Sequence, residues 1–525
     1  MKQAYKIKRA LVSVTDKTNL AEFAKGLSEL GCQLIATDGT NAHLKKYDIK
    51  TIDLADFSDS PALFSGRIKS LTFKVQSAIL YDRFNPQHQQ EAKEHQISTI
   101  DCVICNFYDF QKALNQQKQA NADDNLASII EHIDIGGPNM VRAAAKNFKS
   151  VLVITDPDDY QIILKELTEN EGAISYNTRL LMMKKAFRLI YQYDQLIFEG
   201  LTRKEIKYGE NSHQQAYYVP FADDYLENLS QNQISYNNYL DVNAALELLY
   251  DIDLSLGKGG LGNADKMIIN QCAVVIKHNN PCGLASAKDL AQALKLALDG
   301  DKMSAFGSVV GVSGVVDMEI VNSLKGIFIE VIVAFDYEKE ALTMLKKLKR
   351  KLKIIKVTPP SKSSNNPWQR RSIENATLLQ SKDVGTYKDY QAVTKKKFTN
   401  DLLGLAKFAM LAVKSLKSNA VAIARYHQGA YQLISTGSGQ TNRLDAVRLL
   451  AIPRALDNFK QLDWDKCVLA SDAFFPFADS IESLAQHKLK HIVQPGGSIR
   501  DKEVINACDE HDIAMILTNR RHFKH

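Results

Sequence analysis

An α/β protein of about two to four domains is the architecture this sequence predicts. Short apolar runs alternate with helical patterns through roughly the first two hundred residues, as βαβ units do. At 525 residues the chain exceeds one ordinary hydrophobic core. Its 45% hydrophobic and 24% charged residues fit a folded chain and exclude a disordered one.

ALVSV reads as a strand, and TDKTNLAEFAKGLSELG as the helix after it, closed by Gly31. CQLIAT is a second strand and leads into a turn-like DGTN. VICNF and VLVIT continue the series, with HIDIGGPNMVRAAAK between them. The expected product is an open, mainly parallel sheet covered by helices on both faces. A helix from about Thr178 to Phe198 closes this region, and LTRKEIKYGENSHQQ opens another. Two regions follow, 1–200 and 201–525. In the second, MIINQCAVVIKHNNPCG and IFIEVIVAFD each run from strand to loop. SNAVAIARYHQGAYQLISTGSG reads as a β-hairpin, with CVLASDAFF and HIVQPGG as further strands. The polar SKSSNNPWQRRS, 361–372, is a surface loop or subdomain junction. There are no short-period repeats.

Lys plus Arg total 66 against 60 for Asp plus Glu, a net charge of +6. That mild excess suits phosphorylated anions and requires no nucleic-acid partner. The densest basic segment, Lys346 to Lys356, carries Leu345, Leu348 and Leu352 at helical spacing and reads as a solvated helix face. No apolar run approaches the ~18 residues of a membrane span. The opening MKQAYKIKRALVSV lacks a continuous apolar stretch and a cleavage site, so a cytoplasmic protein is expected. The seven cysteines are an odd, scattered count, and disulfide pairing is not expected in a cytoplasmic protein. Cys102 and Cys105, inside a strand-like run, read as small buried hydrophobes and not metal ligands.

The strongest chemical signal is Lys277-His278-Asn279-Asn280-Pro281-Cys282-Gly283, which follows the apolar run AVVI. It puts a cation and an imidazole at a sheet edge, where open α/β sheets bind ligands. An imidazole can take a proton from an attacking amine, and an ammonium can stabilise a leaving group. A Lys-His pair alone is also compatible with solvated surface; the Pro- and Gly-bearing turn after it favours function. In SVTDKTN, Ser13, Thr15 and Lys17 either hold a phosphate at a helix start or contain an N-cap, Thr15 or Asp16. IDIGGPNMVRAAAKN sets Asp134 before a Gly-Gly turn, with Arg142 and Lys146 on one helix face. The patterned run QPGGSIRDKEVINACDEHDIAMILT continues into the terminal RRHFKH, which suggests a docked tail.

Nine strings in order, SVTDKT, SGRIKSL, IDIGGPNMVRAAAKN, YGENSHQ, IKHNNPCG, SAFGSVV, KSNAV, ASDAFFPF and QPGGSIRDKEVI, resemble one family over nearly the whole chain. In that family phosphoribosylaminoimidazolecarboxamide formyltransferase is fused to inosine monophosphate (IMP) cyclohydrolase. The resemblance implies a methylglyoxal-synthase-like parallel α/β domain at the N-terminus. It implies two cytidine-deaminase-like α/β subdomains after it. It further implies a homodimer with transformylase sites at the interface, and 10-formyltetrahydrofolate as cosubstrate. The small-molecule ligands would be the ribotide AICAR, its formyl derivative FAICAR and the folate. No catalytic metal, nucleic acid or membrane enters this chemistry, and the His-x-Glu and Pro-Cys-x-x-Cys of zinc deaminases are not seen.

By position, Lys277 and His278 match the family's catalytic transformylase pair, and Asn419 an asparagine that orients the substrate. Lys207, Tyr208, Gly307, Glu330, Arg443, Phe474, Arg521 and Phe523 match the AICAR pocket, and Asp479 a folate contact. Lys69, Tyr108, Asp134 and Lys146 match the cyclohydrolase catalytic group. Ser13, Thr15, Lys17, Thr40 and Arg67 match its nucleotide-binding positions. Several neighbours depart from the pattern. Lys207 replaces an arginine and loses a two-pronged phosphate contact. Lys69-Ser70-Leu71-Thr72-Phe73 stands for Lys-Thr-Leu-His-Pro, Gln76-Ser77 for a histidine and glycine, and NFYDF for Asn-Leu-Tyr-Pro-Phe. Asp38-Gly39 replaces Gly-Gly and brings a negative charge close to the expected phosphate. Two rivals follow: a transformylase with an impaired cyclohydrolase domain, and an inactive nucleotide- or folate-binding regulator.

Overall fold

The run Arg9–Ser13 forms β1, with Ala10, Leu11 and Val12 fully buried. It is the middle strand of a five-stranded parallel sheet in the computed structural model, which describes residues 4–61, 63, 64, 68–116, 122–221, 225–256, 271–358 and 367–525. On one side lie β2 (Gln33–Ala36) and β3 (Ile52–Asp53), on the other β4 (Cys102–Cys105) and β5 (Leu152–Ile154). The strands are short and apolar because both faces are covered. The Asp101 carboxylate, just before β4, accepts the backbone N–H groups of Lys8 and Arg9 at 3.0 and 3.1 Å and so pins β1 to β4. Cys102 and Cys105 are fully buried, and burial pushes both thiols up, as expected of structural cysteines. Helices α1 (Leu20–Glu29), α2 (Asp38–Lys45), α3 (Gly136–Lys146) and α4 (Tyr176–Thr202) complete this unit, Met1–Arg203.

Two local expectations are corrected. DGTN is not a β-turn but the first turn of α2, because Thr37 is extended at the N-cap and Thr40, Asn41 and Leu44 pack inward. Neither Thr15 nor Asp16 caps α1. That helix begins after a left-handed Asn19, while Asp16 closes its own turn onto Thr18 at 2.9 Å.

The second unit, Lys204–His525, opens with the hairpin β6 (Lys204–Ile206) and β7 (Ala216–Tyr218). Its core is one twelve-stranded sheet built twice from the same plan. In the first half α5 (Tyr236–Leu256) precedes the hairpin β9 (Gln271–Lys277) and β10 (Asn280–Ala287). Next to β9 runs antiparallel β11 (Ser308–Val316), then parallel β12 (Ile329–Tyr337) and β13 (Lys353–Val357), with antiparallel β8 (Leu226–Asn228) at the edge. In the second half α8 (Asn400–Lys414) precedes the hairpin β17 (Val421–His427) and β18 (Ala430–Gly437). There β19 (Cys467–Ser471), β20 (His491–Gln494) and β21 (Ala514–Leu517) repeat the order, closed by antiparallel β16 (Gln391–Ala392). The halves meet where β10 pairs with β18. Helices α6 (Leu290–Gly300), α7 (Lys339–Leu348), α9 (Asp479–Gln486) and α10 (Asp501–Glu510) fill the crossovers.

The basic stretch 346–356 is not one helix. α7 stops at Leu348, Leu352 is buried, and Lys353–Val357 becomes β13 because Ile354, Ile355 and Val357 fill the core beside β12. Of the polar segment 361–372, residues 361–366 lie outside the described part; the rest enters an exposed hairpin, β14 (Trp368–Ile373) and β15 (Ala376–Ser381). Among the described residues no helix is long and apolar enough to cross a membrane.

Candidate functional site

The β9–β10 hairpin turns on two residues, His278 and Asn279, with φ of 53° and 62°. Tight hairpins favour such left-handed pairs because their twist matches that of the strands. The hairpin tip lifts His278 and Asn279 into solvent while Lys277 and its register partner Asn280 stay half-buried. The equivalent tip of the other half, Gln428-Gly429, has the same geometry and no Lys-His pair. Of the two equivalent tips, one carries the Lys-His pair.

Contacts to Phe306 and Asp241 hold this tip. Lys277 Nζ donates to the carbonyl of Phe306 at 2.6 Å, beside Gly307, whose φ of 73° suits glycine. The Asn279 N–H donates to Asp241 Oδ1 at 2.7 Å. Burial raises the Asp241 carboxyl above its usual range, opposed by that N–H and by neighbouring His278. One turn earlier on α5, Asn238 donates to Glu330 at 2.9 Å, and Asn237 to the carbonyl of Glu210. Through α5 the structure therefore links Lys277, His278, Gly307, Glu330 and the segment after Lys207 and Tyr208. Asp241 and Asn238 were not singled out by sequence; their signal was a polar stripe on an otherwise core-facing helix.

A cavity of about 490 Å³ opens beside Lys277, His278 and Asn280 and draws Asp301, Ser304 and Arg454 into its wall. Arg454 pairs with buried Asp301 at 2.9 Å. Asn280 also accepts from Ser438 at 3.2 Å, and Ser438 donates to the carbonyl of Lys417. This bridge joins the Lys277-His278 tip to a second cluster.

In that cluster Arg443 is buried and its guanidinium spans Asn419 Oδ1 (2.8 Å), Ser471 Oγ (2.8 Å), the Ala420 carbonyl (3.1 Å) and the Asp472 carboxylate. Asp472 in turn accepts from Ser418 Oγ at 2.5 Å and from the Ala420 N–H at 3.2 Å. Phe474 is half-buried two residues on, and Asp479 is exposed at the start of α9. The C-terminal segment docks here: the His522 N–H donates to the Asp472 carbonyl at 2.9 Å, and Ser418 N–H to Lys524 at 2.9 Å. Arg521 stands 4.4 Å over the ring of Phe523. The ordered tail thus has a physical cause. Asp472 is the main omission of the sequence argument; an acid directly after the apolar run CVLAS was its signal.

In the first unit the Asp134 carboxylate accepts the Gly137 N–H at 2.9 Å. Burial raises its affinity for a proton, while the backbone N–H groups of Gly137, Tyr108 and Gly136 oppose that shift. A Cβ at Gly136 would lie 2.8 Å from Ser70 Oγ and one at Gly137 2.6 Å from Asp134, so glycine is required for this close approach. Lys69, Tyr108 and Asp134 therefore border one patch. Lys69 is not free there: it pairs with Asp38 at 2.9 Å. Lys146 is exposed in the last turn of α3, and a helix of that length puts roughly 15 Å between its ends. Thr40 is buried and accepts the Val14 N–H, and Thr37 donates to Ser13. Asn106 Oδ1 accepts from Thr15 and Asp16 at 2.7 and 3.0 Å, while Lys17 folds back to the Thr15 carbonyl. Asn106 was not singled out from sequence. Arg67 lies outside the described residues. Among the described residues no three His, Cys, Asp or Glu side chains group as a metal site.

Two polar sites on separate α/β units, each at the carboxyl ends of sheet strands, define a two-site enzyme. The pattern of the AICARFT/IMPCHase bienzyme matches residues 144–454, and that of the MGS-like domain residues 19–139. The bifunctional purine biosynthesis protein PurH of Persephonella marina is 39% identical, covering 99% of this chain and 100% of its own length. That of Caldicellulosiruptor saccharolyticus is 38% identical over the same shares. This chain belongs to the AICARFT/IMPCHase family of bifunctional purine biosynthesis enzymes.

Proposed function

We propose that the unit from residue 204 onward transfers a formyl group from 10-formyltetrahydrofolate to the 5-amino group of AICAR, and that the first unit closes FAICAR to IMP. The observation that carries this is the Lys277-His278 tip at the rim of the cavity. As the amine nitrogen bonds to the formyl carbon, His278 takes its proton. The bond from that carbon to the folate N10 breaks, and Lys277 gives the leaving nitrogen a proton. Asn419, fixed by Arg443, orients the ribotide. Lys207, Tyr208, Gly307, Glu330, Phe474, Arg521 and Phe523 line its pocket, and Asp479 meets the folate. The chain acts as a cytoplasmic homodimer with this site completed across the interface, and no metal takes part.

In the first unit the carboxamide nitrogen attacks the formyl carbon and water leaves. Asp134 is suited to move a proton, Tyr108 and Lys69 to steady the oxyanion, and Ser13, Thr15, Lys17, Thr40 and Arg67 to hold the nucleotide. Lys146 stands outside this core set. The Lys69–Asp38 pair favours a second reading, a sluggish cyclohydrolase, since Asp38 competes for the cation the oxyanion needs.

Purified chain given FAICAR should form IMP, followed by the rise in purine absorbance. Given AICAR and 10-formyltetrahydrofolate, it should release tetrahydrofolate. Release of folate without IMP from FAICAR leaves the second reading; neither product rejects the proposal.

A further inference from the structure

After β21 and a bend at the left-handed Asn519 the chain runs as a strap to its end, and burial alternates along it. Thr518 and His522 are buried, whereas Asn519, Arg521 and Phe523 are exposed. A period of two puts Arg521 and Phe523 on the face opposite His522. The His522 ring is 1% exposed and has an acceptor at each nitrogen: Asp383 Oδ2 lies 2.7 Å from Nδ1 and the Thr386 carbonyl 3.1 Å from Nε2. The same loop is held from the strap a second time, since Arg520 Nη1 donates to the Val384 carbonyl at 2.6 Å. Gly385 has no Cβ there, and one would lie 2.8 Å from that guanidinium. No other titratable side chain of the strap is buried as deeply.

We propose that His522 is a positioning residue for the ribotide pocket: its ring, clamped between Asp383 and Thr386, fixes the strap that presents Arg521 and Phe523 beside Ser418 and Asp472. This rests on the reading that Arg521 and Phe523 line the AICAR pocket. His522 touches no substrate. It acts by keeping the two residues beside it on one face and in one register, so that AICAR does not have to order the strap when it binds.

The test titrates AICAR calorimetrically into the full chain and measures formyl transfer with AICAR and folate varied separately. His522→Leu removes both ring contacts and His522→Gln restores one. Loss of one or two buried hydrogen bonds should weaken AICAR binding roughly 5–100-fold in His522→Leu, with His522→Gln between it and wild type. The folate KM, kcat at saturating AICAR and cyclohydrolase turnover should stay within about threefold, since a strap ordered by saturating ribotide is the same strap. Unchanged AICAR affinity in His522→Leu overturns the inference, as does a parallel loss of AICAR affinity, kcat and cyclohydrolase turnover, which marks general destabilisation. A wild-type chain that binds no AICAR instead overturns the functional reading itself.

Discussion

In His278→Ala, formyl transfer falls by roughly 10²–10⁴-fold, the usual contribution of a general base, while AICAR affinity stays within a few-fold of wild type. The amine of AICAR must lose a proton as its nitrogen bonds to carbon, and a base has to stand within hydrogen-bond reach of it. His278 is exposed at the hairpin tip with Lys277 before it and Asp241 behind the turn. Among the described residues no hydrogen bond is made by its ring, so truncation should leave the β9–β10 hairpin intact. The loss should therefore appear in kcat and in kcat/KM together. Measured by stopped assay and calorimetry, a kcat equal to wild type would remove His278 from the mechanism.

The second large effect lies in stability. Arg443→Met leaves the Asp472 carboxylate buried without its cation, which typically costs about 3–5 kcal/mol. Arg443 is 5% exposed and Asp472 0%, so water cannot replace the lost partner. Adding Asp472→Leu removes the stranded charge and should recover much of the stability, since apolar replacements of buried ion pairs are often neutral. It should not recover AICAR binding, because Asn419 loses the guanidinium that holds its carbonyl and Ser418 loses its acceptor. Urea unfolding of the single and double variants gives the first quantity and calorimetry the second. A single variant as stable as wild type contradicts the assigned role.

Sequence and structure agree where the information is local. The strands β1, β2, β4 and β5 stand on uninterrupted apolar runs, and the hairpin β17–β18 on apolar segments either side of Gln428-Gly429. Local pattern misleads where tertiary packing decides. DGTN has turn composition, yet Thr40 and Asn41 are drawn inward and the backbone coils. The leucines of 345–352 have helical spacing, yet β12 offers a parallel edge that captures Lys353–Val357 as a strand. The duplication of the large sheet was invisible as a repeat because it survives in strand order and not in residue strings. The motif strings marked the candidate residues of the proposed sites. They did not single out Asp241, Asp472, Asn106 or His522, whose partners lie tens of residues away in sequence and meet only in the folded chain.

The most direct test is a structure of the protein with AICAR bound. The ribotide's 5-amino nitrogen should lie about 2.6–3.2 Å from the His278 ring, or one water away. Arg521 and Phe523 should border the same molecule. A ribotide seated away from the Lys277-His278 tip would contradict the account.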